Sequence, residues 1–251
     1  MEDLSENGIV LTKYDFVLVD KIKVVVKEIA QMQAEWIKAS MEVEWTDGGF
    51  EENEKMWAKI TEDFLSFIPA FIDLVDDKEK VKNVFNKIMV LAGNKDYHVW
   101  AFQDAYKELG LPTVLATVIL QITGSPAADL TRYLLLNAEG HVRRKIESTI
   151  FSFYIECINS EIPNIKFNKN QIRKAYIYAF ISEFMGLLMI TVNNAKTLQH
   201  SINNGENVAH NLKIKNKIIL QALDAMEDVE KFMDVELADI VERFKISKNS
   251  I

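Results

Sequence analysis

The sequence predicts an all-α protein built as a single multi-helix bundle of about eight or nine helices. Apolar residues recur three and four positions apart through most of the chain, which is the period of one helix face. Only 9 Gly and 4 Pro occur in 251 residues, too few for the many turns of an all-β protein. One almost uncharged stretch, residues 175–192, supplies a helix apolar on every side for the centre of the bundle.

The domain organisation predicted from composition is simple. We expect a flexible N-terminal tail at 1–13, one helical domain at 14–246 and a short C-terminal tail at 247–251. Hydrophobic residues make up 49% of the chain, enough for a large core. We find no internal repeat, no low-complexity tract and no linker long enough to separate two domains.

The first half contains four predicted helices and one ambiguous segment. The first carries a seam with coiled-coil spacing, formed by Leu18, Ile22, Val25, Ile29, Met32, Trp36 and Ala39. A second helix begins near Glu51, and we expect a kink or break in it at Ile68–Pro69. A third spans Lys78–Ala92 and ends at Gly93, and a fourth is capped by Asn94 or Asp96. Pro112–Thr123 is rich in β-branched residues and fits either a buried strand or a buried helix. We favour the helix, because no partner strand is evident.

The sequence of the second half predicts three long helices. Gly124-Ser125-Pro126 stops one segment and starts a helix that continues toward Asn159, with a disturbance at Gly140. Two more span about Asn168–Asn203 and Asn207–Lys245, joined around Gly205.

Charge and cysteine content narrow the class of protein. The net charge of −8 makes nucleic acid an unsuitable main partner, because phosphate binding needs a basic surface. Cys157 is the only cysteine, so no intrachain disulfide can form and a reducing compartment is expected. The first residues are acidic and polar, unlike a secretory signal. We therefore expect a soluble, cytoplasmic protein.

The apolar run 175–192 is long enough to cross a bilayer, but its only charged residue is Glu183, in mid-span. We favour the central helix of a bundle and expect no membrane contact. A buried Glu183 would be paired, hydrogen-bonded or protonated. A structural pair with an Arg, a Lys or a Tyr, or a helix face that points to solvent after all, is our preferred interpretation. A functional site, in which the carboxylate acts as an acid, a base or a metal ligand, is the alternative.

Motifs for metal binding and for nucleophilic catalysis are missing from the sequence. The four histidines are scattered without metal-ligand spacing, at His98, His141, His200 and His210. A composite site of Glu183, His141 and Glu156 rests on residue type alone, so we expect neither a metal nor a cofactor. Cys157 lies among apolar neighbours and is expected to be a small core residue.

Three basic or acidic segments are candidate binding surfaces. Arg132 follows the loop at 123–128, whose helix start could bind an anion, although helix capping explains the same residues. Arg143-Arg144-Lys145 is expected to be a solvated helix face, and Arg144 could meet an acidic partner or lipid headgroups. The final helix is crowded with acidic residues, which could pair with the basic cluster of a second copy.

Aromatic residues suggest either core packing, which we favour, or a pocket for an apolar small molecule. The group comprises Phe151, Phe153, Tyr154, Tyr176, Tyr178 and Phe180. The function that fits best is a helical binding or scaffolding protein that acts through helix faces or an apolar pocket. Its partner would be another protein or a second copy. An enzyme centred on Glu183 and a membrane-active protein using 175–192 are the alternatives.

Overall fold

A computed structural model of the chain describes residues 19–42, 50–116, 122–163 and 165–248. Over these ranges it contains ten helices and one two-stranded sheet, so the all-α prediction is confirmed. The helices are α1 (Val19–Glu42), α2 (Phe50–Ile72), α3 (Lys78–Ala92), α4 (Lys95–Gln103), α5 (Ala105–Glu108), α6 (Ala127–Asn137), α7 (Gly140–Glu161), α8 (Lys169–Asn203), α9 (Val208–Val235) and α10 (Ala238–Lys248). The strands are β1 (Val114–Ala116) and β2 (Ile122–Gly124).

Helix α8 is the centre of the bundle, as predicted. Asn168 caps it, and the side chain of Gln171 returns a hydrogen bond to the Asn168 backbone, so both ends of a capping box are present. The helix packs against α9, α6 and α2. By length and composition α8 could cross a membrane, but 83% of its most apolar window is buried inside the protein. One buried cluster includes side chains from all ten helices, from Ile22 on α1 to Phe244 on α10.

The buried face of α1 differs from the predicted seam. The side chains turned inward are spaced mainly by four, at Ile22, Val26, Ala30, Ala34 and Ile37. Of the predicted seam only Ile22 is fully buried, while Met32 is 41% exposed, and Leu18 lies outside the described residues. The two stripes are adjacent on the helix, and α1 packs through the one that faces α7.

The prediction of a helix at Pro112–Thr123 is wrong. β1 and β2 both come from this segment and pair antiparallel, with Val114 opposite Gly124 and Ala116 opposite Ile122. The partner strand of β1 is therefore β2, which follows it directly in the chain. Residues 117–121 lie outside the described part of the chain.

Three predicted helix boundaries need correction. α2 continues through Pro69 to Ile72, so the helix does not break at Ile68–Pro69. The helix predicted from Pro126 to Asn159 is divided at Ala138, whose backbone is extended. The final helix is also divided, since α9 ends at Val235 and α10 begins at Ala238.

Gly140, the first residue of α7, has a packing role. A Cβ atom built at this position would lie 2.5 Å from the Cβ, Cγ and Oδ2 atoms of Asp224 on α9. Glycine therefore lets α7 approach α9 more closely than any other residue would.

The last turns of α8 and the first turns of α9 form an antiparallel pair that we call the outer hairpin, residues 193–217. A second small core joins it to the bundle, made of Ala195, Leu198 and Ile218. Most side chains from 203 to 213 are exposed. The outer hairpin thus has much less buried apolar surface than the rest of α8 and α9.

Candidate functional site

Glu183 forms an ion pair with Arg132, which is the interpretation that the sequence favoured. Arg132 on α6 donates from Nε to Oε2 of Glu183 at 2.9 Å and from Nη2 to Oε1 at 2.7 Å. Burial raises the pKa of the Glu183 carboxyl group, and the charge and hydrogen bonds of Arg132 oppose that shift. Both carboxylate oxygens are therefore used by a fork-shaped partner.

Arg143 and Arg144 are not a solvated helix face. Arg143 is fully buried, and its Nη2 donates to Oδ2 of Asp228 at 2.5 Å. Arg144 donates from Nε to Oδ1 of Asp228 at 2.8 Å and from Nη2 to the backbone oxygen of Asp224 at 2.9 Å. Only Lys145 of the basic run is exposed. The two arginines of α7 bind acidic residues of α9 in the same chain, because Gly140 brings the two helices together.

Acidic residues in the last turns of α9 and just after its end are also paired within the chain. Lys87 on α3 lies 3.1 Å from Glu230 and 2.6 Å from Asp234. Arg173 near the start of α8 forms a two-pronged ion pair with Glu236, with Nη2 to Oε1 at 2.7 Å. These contacts weaken the hypothesis that this face attracts a second copy.

A buried polar network surrounds Arg143. Tyr176 donates to Oε1 of Glu147 at 2.7 Å, and that oxygen lies 3.8 Å from Nε of Arg143. The guanidinium also lies 5.2 Å from the ring centre of Phe180. Burial raises the pKa of Glu147, while Tyr176 and Arg143 lower it. We call Arg143, Arg144, Glu147, Tyr176 and Asp228 the arginine network.

The aromatic residues proposed as a pocket lining pack as core in separate groups. Phe151, Tyr176 and Phe180 form one chain of edge-to-face contacts, with centroids 5.2 and 5.6 Å apart. Tyr154 points elsewhere and donates to Oε1 of Gln33 on α1 at 2.5 Å. Tyr178 contacts Trp100 on α4. Phe153 is half-buried, and Nζ of Lys23 lies 5.7 Å from its ring centre. The six residues therefore lie in separate groups, as core packing predicts.

Gln33 explains how the start of α6 is held. Its Nε2 donates to the backbone oxygen of Pro126 at 3.1 Å, while its Oε1 receives the bond from Tyr154. Ser125 is buried and its Oγ accepts from the backbone of Ala127 at 3.2 Å. This loop is occupied by helix capping and by α1, as the capping interpretation predicted.

His98 and Ser182 form a buried pair that the sequence reasoning missed. Oγ of Ser182 lies 2.7 Å from Nδ1 of His98, and Nε2 of His98 lies 3.0 Å from the backbone oxygen of Ala92. Trp57 stacks on the imidazole at 5.4 Å. The arrangement resembles a serine with its base, but both side chains are buried, and burial lowers the pKa of His98 to about 4. The His98–Ser182 pair therefore serves as a hydrogen bond inside the core.

The composite metal site of Glu183, His141 and Glu156 is not assembled. His141 and Glu156 are exposed, whereas Glu183 is buried against Arg132. Within the described residues, no group of three or more His, Cys, Asp or Glu side chains could hold a metal ion. Burial raises the pKa of the half-buried Cys157, which disfavours its reactive thiolate.

Two features face solvent and remain available for contacts. On α9, Val208 and Leu212 lie one turn apart, are 44% and 46% exposed, and form a small apolar patch that we call the α9 ridge. Leu220, which is 61% exposed, lies two turns further on and about 80° round the helix. The second feature is an open hollow of about 430 Å³ bordered by α4 and α10, which we call the Trp100 hollow. Its lining consists of Glu54, Asp96, Val99, Trp100, Asp104, Arg243 and Phe244.

The comparisons with known proteins give no family. No protein-family model, no curated protein and no solved structure matches the chain. Function must therefore be argued from the surfaces and side chains described above.

Proposed function

We propose that this protein is a helical binding protein, which recognises another protein through the outer hairpin and the α9 ridge. The observation that supports it is the exposure of Val208 and Leu212 on one face of a helix, at positions i and i+4. Neighbouring aliphatic side chains exposed on one helix face are unfavourable in water, and a protein partner that packs against the helix would bury them.

The charged side chains that could have served catalysis have internal roles. Arg132 occupies both oxygens of Glu183, and Asp228 is bound by both Arg143 and Arg144. A general acid or base needs a proton-exchanging atom that reaches a substrate. The enzyme alternative therefore has less support than a binding role, which needs only an exposed and well-formed surface.

The test is site-specific photo-crosslinking in cells that express the protein. A photoreactive residue is placed at Leu212, on the α9 ridge, and in a second variant at Leu65, an equally exposed leucine of α2. We expect a discrete crosslinked product of defined mass from position 212 and none from position 65. Mass spectrometry of the product identifies the partner.

A charge variant makes the test specific. Lys213 is exposed beside Leu212, and Lys213→Glu should reduce the yield of the crosslink at 212 without lowering the melting temperature. Equal products from positions 212 and 65, or none from either, would contradict a binding surface at the α9 ridge.

A further inference from the structure

We propose that the turn between α8 and α9 is a site of spontaneous chemical modification, in which the side-chain amide of Asn204 is lost with the help of His200. The proposal is independent of the binding function, because the reaction takes place within the chain and needs no partner. It rests on the residue that follows Asn204, on the exposure of the turn and on one side-chain contact.

The sequence of the turn favours an attack of the backbone on the side chain. Asn204 is followed by Gly205, which has no Cβ atom to hinder its backbone nitrogen. A bond forms between that nitrogen and Cγ of Asn204, the Cγ–Nδ2 bond breaks, and a cyclic imide and ammonia result. The proton that the Gly205 nitrogen loses balances the one that the leaving nitrogen gains. Water then opens the imide to aspartate or to isoaspartate.

The turn is accessible to water and can open locally. Residues 203–210 are exposed, and within the described part of the chain no atom beyond the chain neighbours of Gly205 lies within 4 Å of where its Cβ would be. The N–H group of Gly205 donates to the backbone oxygen of Ile202 at 3.0 Å and must be released before the attack. Breaking one such bond slows the reaction by about fivefold. The small core of the outer hairpin makes this opening frequent.

His200 is placed to protonate the leaving group. It lies one helical turn before Asn204, and its Nε2 atom is 3.2 Å from Nδ2 of Asn204. Nδ2 is the atom that departs as ammonia, and an amide nitrogen leaves readily only when it is protonated. An imidazolium at this distance supplies the proton as the Cγ–Nδ2 bond breaks.

Other asparagines of the chain lack one or both of these features. Asn203 is followed by a residue with a Cβ atom, and its Oδ1 accepts from Nε2 of Gln199 at 2.8 Å. Asn204 is the one asparagine of the described residues that precedes a glycine. Asn7 also precedes a glycine, but it lies outside the described residues and has Asp3, not a histidine, four positions before it. Asn7 is therefore an internal comparison for the effect of His200.

The modification changes both the charge and the backbone of the outer hairpin. Its net charge falls from +3 to +2, because its charged residues are Lys196, Lys213, Lys215, Lys217 and Glu206. The new carboxylate lies at the C-terminal end of α8, where the helix dipole disfavours negative charge. Isoaspartate also routes the backbone through the former side chain, which lengthens the turn by a methylene group. Both changes should loosen the contact between the end of α8 and the start of α9.

Peptide mapping by mass spectrometry, on protein stored at neutral pH and physiological temperature, tests the proposal. We expect position 204 to show the replacement of NH2 by OH, as aspartate and isoaspartate, while Asn203 stays unchanged over the same period. Amide hydrogen exchange in the outer hairpin should become faster as the product accumulates. Asn204→Gln is the matched control, because its longer side chain cyclises much more slowly, and its hydrogen exchange should stay constant.

The variant His200→Gln tests the role of the imidazole. Glutamine can hydrogen-bond but does not transfer a proton, so the reaction at Asn204 should slow by about tenfold, less than the effect of a buried general acid. The rate at Asn7 should not change. Hydrogen exchange of the Gly205 amide should be equal in both proteins, which separates proton transfer from a change in the turn.

An Asn204 that stays intact in stored protein would overturn the proposal, most directly if Asn7 reacts in the same sample. Equal rates at Asn204 in the parent protein and in His200→Gln would also overturn it, because the imidazole would then have no part in the reaction. Crosslinking at position 212 decides the binding function separately, whichever result is found at Asn204.

Discussion

The two halves of the α8–α9 pair are held together by different forces. Near the middle of the bundle, α7, α8 and α9 meet around the arginine network, where a fully buried guanidinium is matched by a carboxylate. In the outer hairpin the same two helices are joined by Ala195, Leu198 and Ile218 and by few other buried side chains. The inner half therefore gains specificity from paired charges, while the outer half remains exposed and adaptable.

Replacing Arg143 should have the largest effect on the free energy of unfolding. Arg143→Met leaves Asp228 buried with only Arg144 to bind it, and should lower the free energy of unfolding by about 3 kcal/mol. The double variant Arg143→Met, Asp228→Leu removes the stranded charge and should return to within about 1 kcal/mol of the parent protein. Urea denaturation measures both. Equal losses in the single and double variants would mean that the charge pairing is not what holds α7 to α9.

The stability of the folded protein should fall in acid mainly because His98 becomes protonated. Its pKa is lowered from 6.5 to about 4 by burial, so its contribution is fully present above pH 6.5 and is lost as pH falls toward 4. The loss for this one group amounts to about 3 kcal/mol at most. The raised pKa values of Glu147 and Glu183 act in the opposite direction, since their protonation favours the folded state at low pH.

Comparison with His98→Gln isolates the histidine. The stability of the variant should fall less than that of the parent protein between pH 6.5 and 4, as measured by urea titrations at each pH. Parallel stability curves for the two proteins would show that the imidazole of His98 is not buried as described.

Replacing two helical glycines with alanine should change the stability in opposite directions. At Gly140 an added methyl group would meet Asp224 at 2.5 Å, so Gly140→Ala should destabilise the protein by about 1–3 kcal/mol. At Gly186 on α8 nothing lies within 4 Å of the added Cβ, and Gly186→Ala should stabilise by about 0.5–1 kcal/mol. Thermal melts of the two variants should shift in opposite directions. A gain at Gly140 would mean that α7 and α9 are not in close contact there.

The smallest effect concerns the outer hairpin. Leu198→Ala removes part of its small core and should speed amide hydrogen exchange in the outer hairpin, with little change around the arginine network. Hydrogen exchange followed by mass spectrometry resolves the two regions. A uniform increase across α8 and α9 would indicate that the two halves open as one unit.

Features that depend on neighbouring residues were predictable from the sequence. Gly93 ends α3, Asn94 caps α4 and the predicted start and end of α8 agree with the structure to within one residue. Capping and periodicity act over one or two turns, so the required information is local. The pairing of Glu183 also followed from the cost of burying a lone charge, but the sequence left Arg, Lys and Tyr open as the partner.

Features that depend on distant partners were not predictable. Arg143 and Asp228 are 85 positions apart, and nothing near Arg143 in the sequence indicates that α9 will cover it. The seam on α1 was misplaced by one residue because two adjacent stripes are apolar, and the contact with α7 decides which is buried. The β1–β2 hairpin was missed because a short β-branched run fits a buried helix equally well.

The length of α8 has a mechanical consequence. Its 35 residues extend over about 50 Å at roughly 1.5 Å per residue. A compact globule of this chain length has a radius of gyration of only about 18 Å, corresponding to a diameter of roughly 46 Å. One helix is therefore about as long as a compact particle of this chain length is wide. A dye attached near Gly205, at the end of this helix, would report the motion of a single rigid rod that runs from the core to the surface.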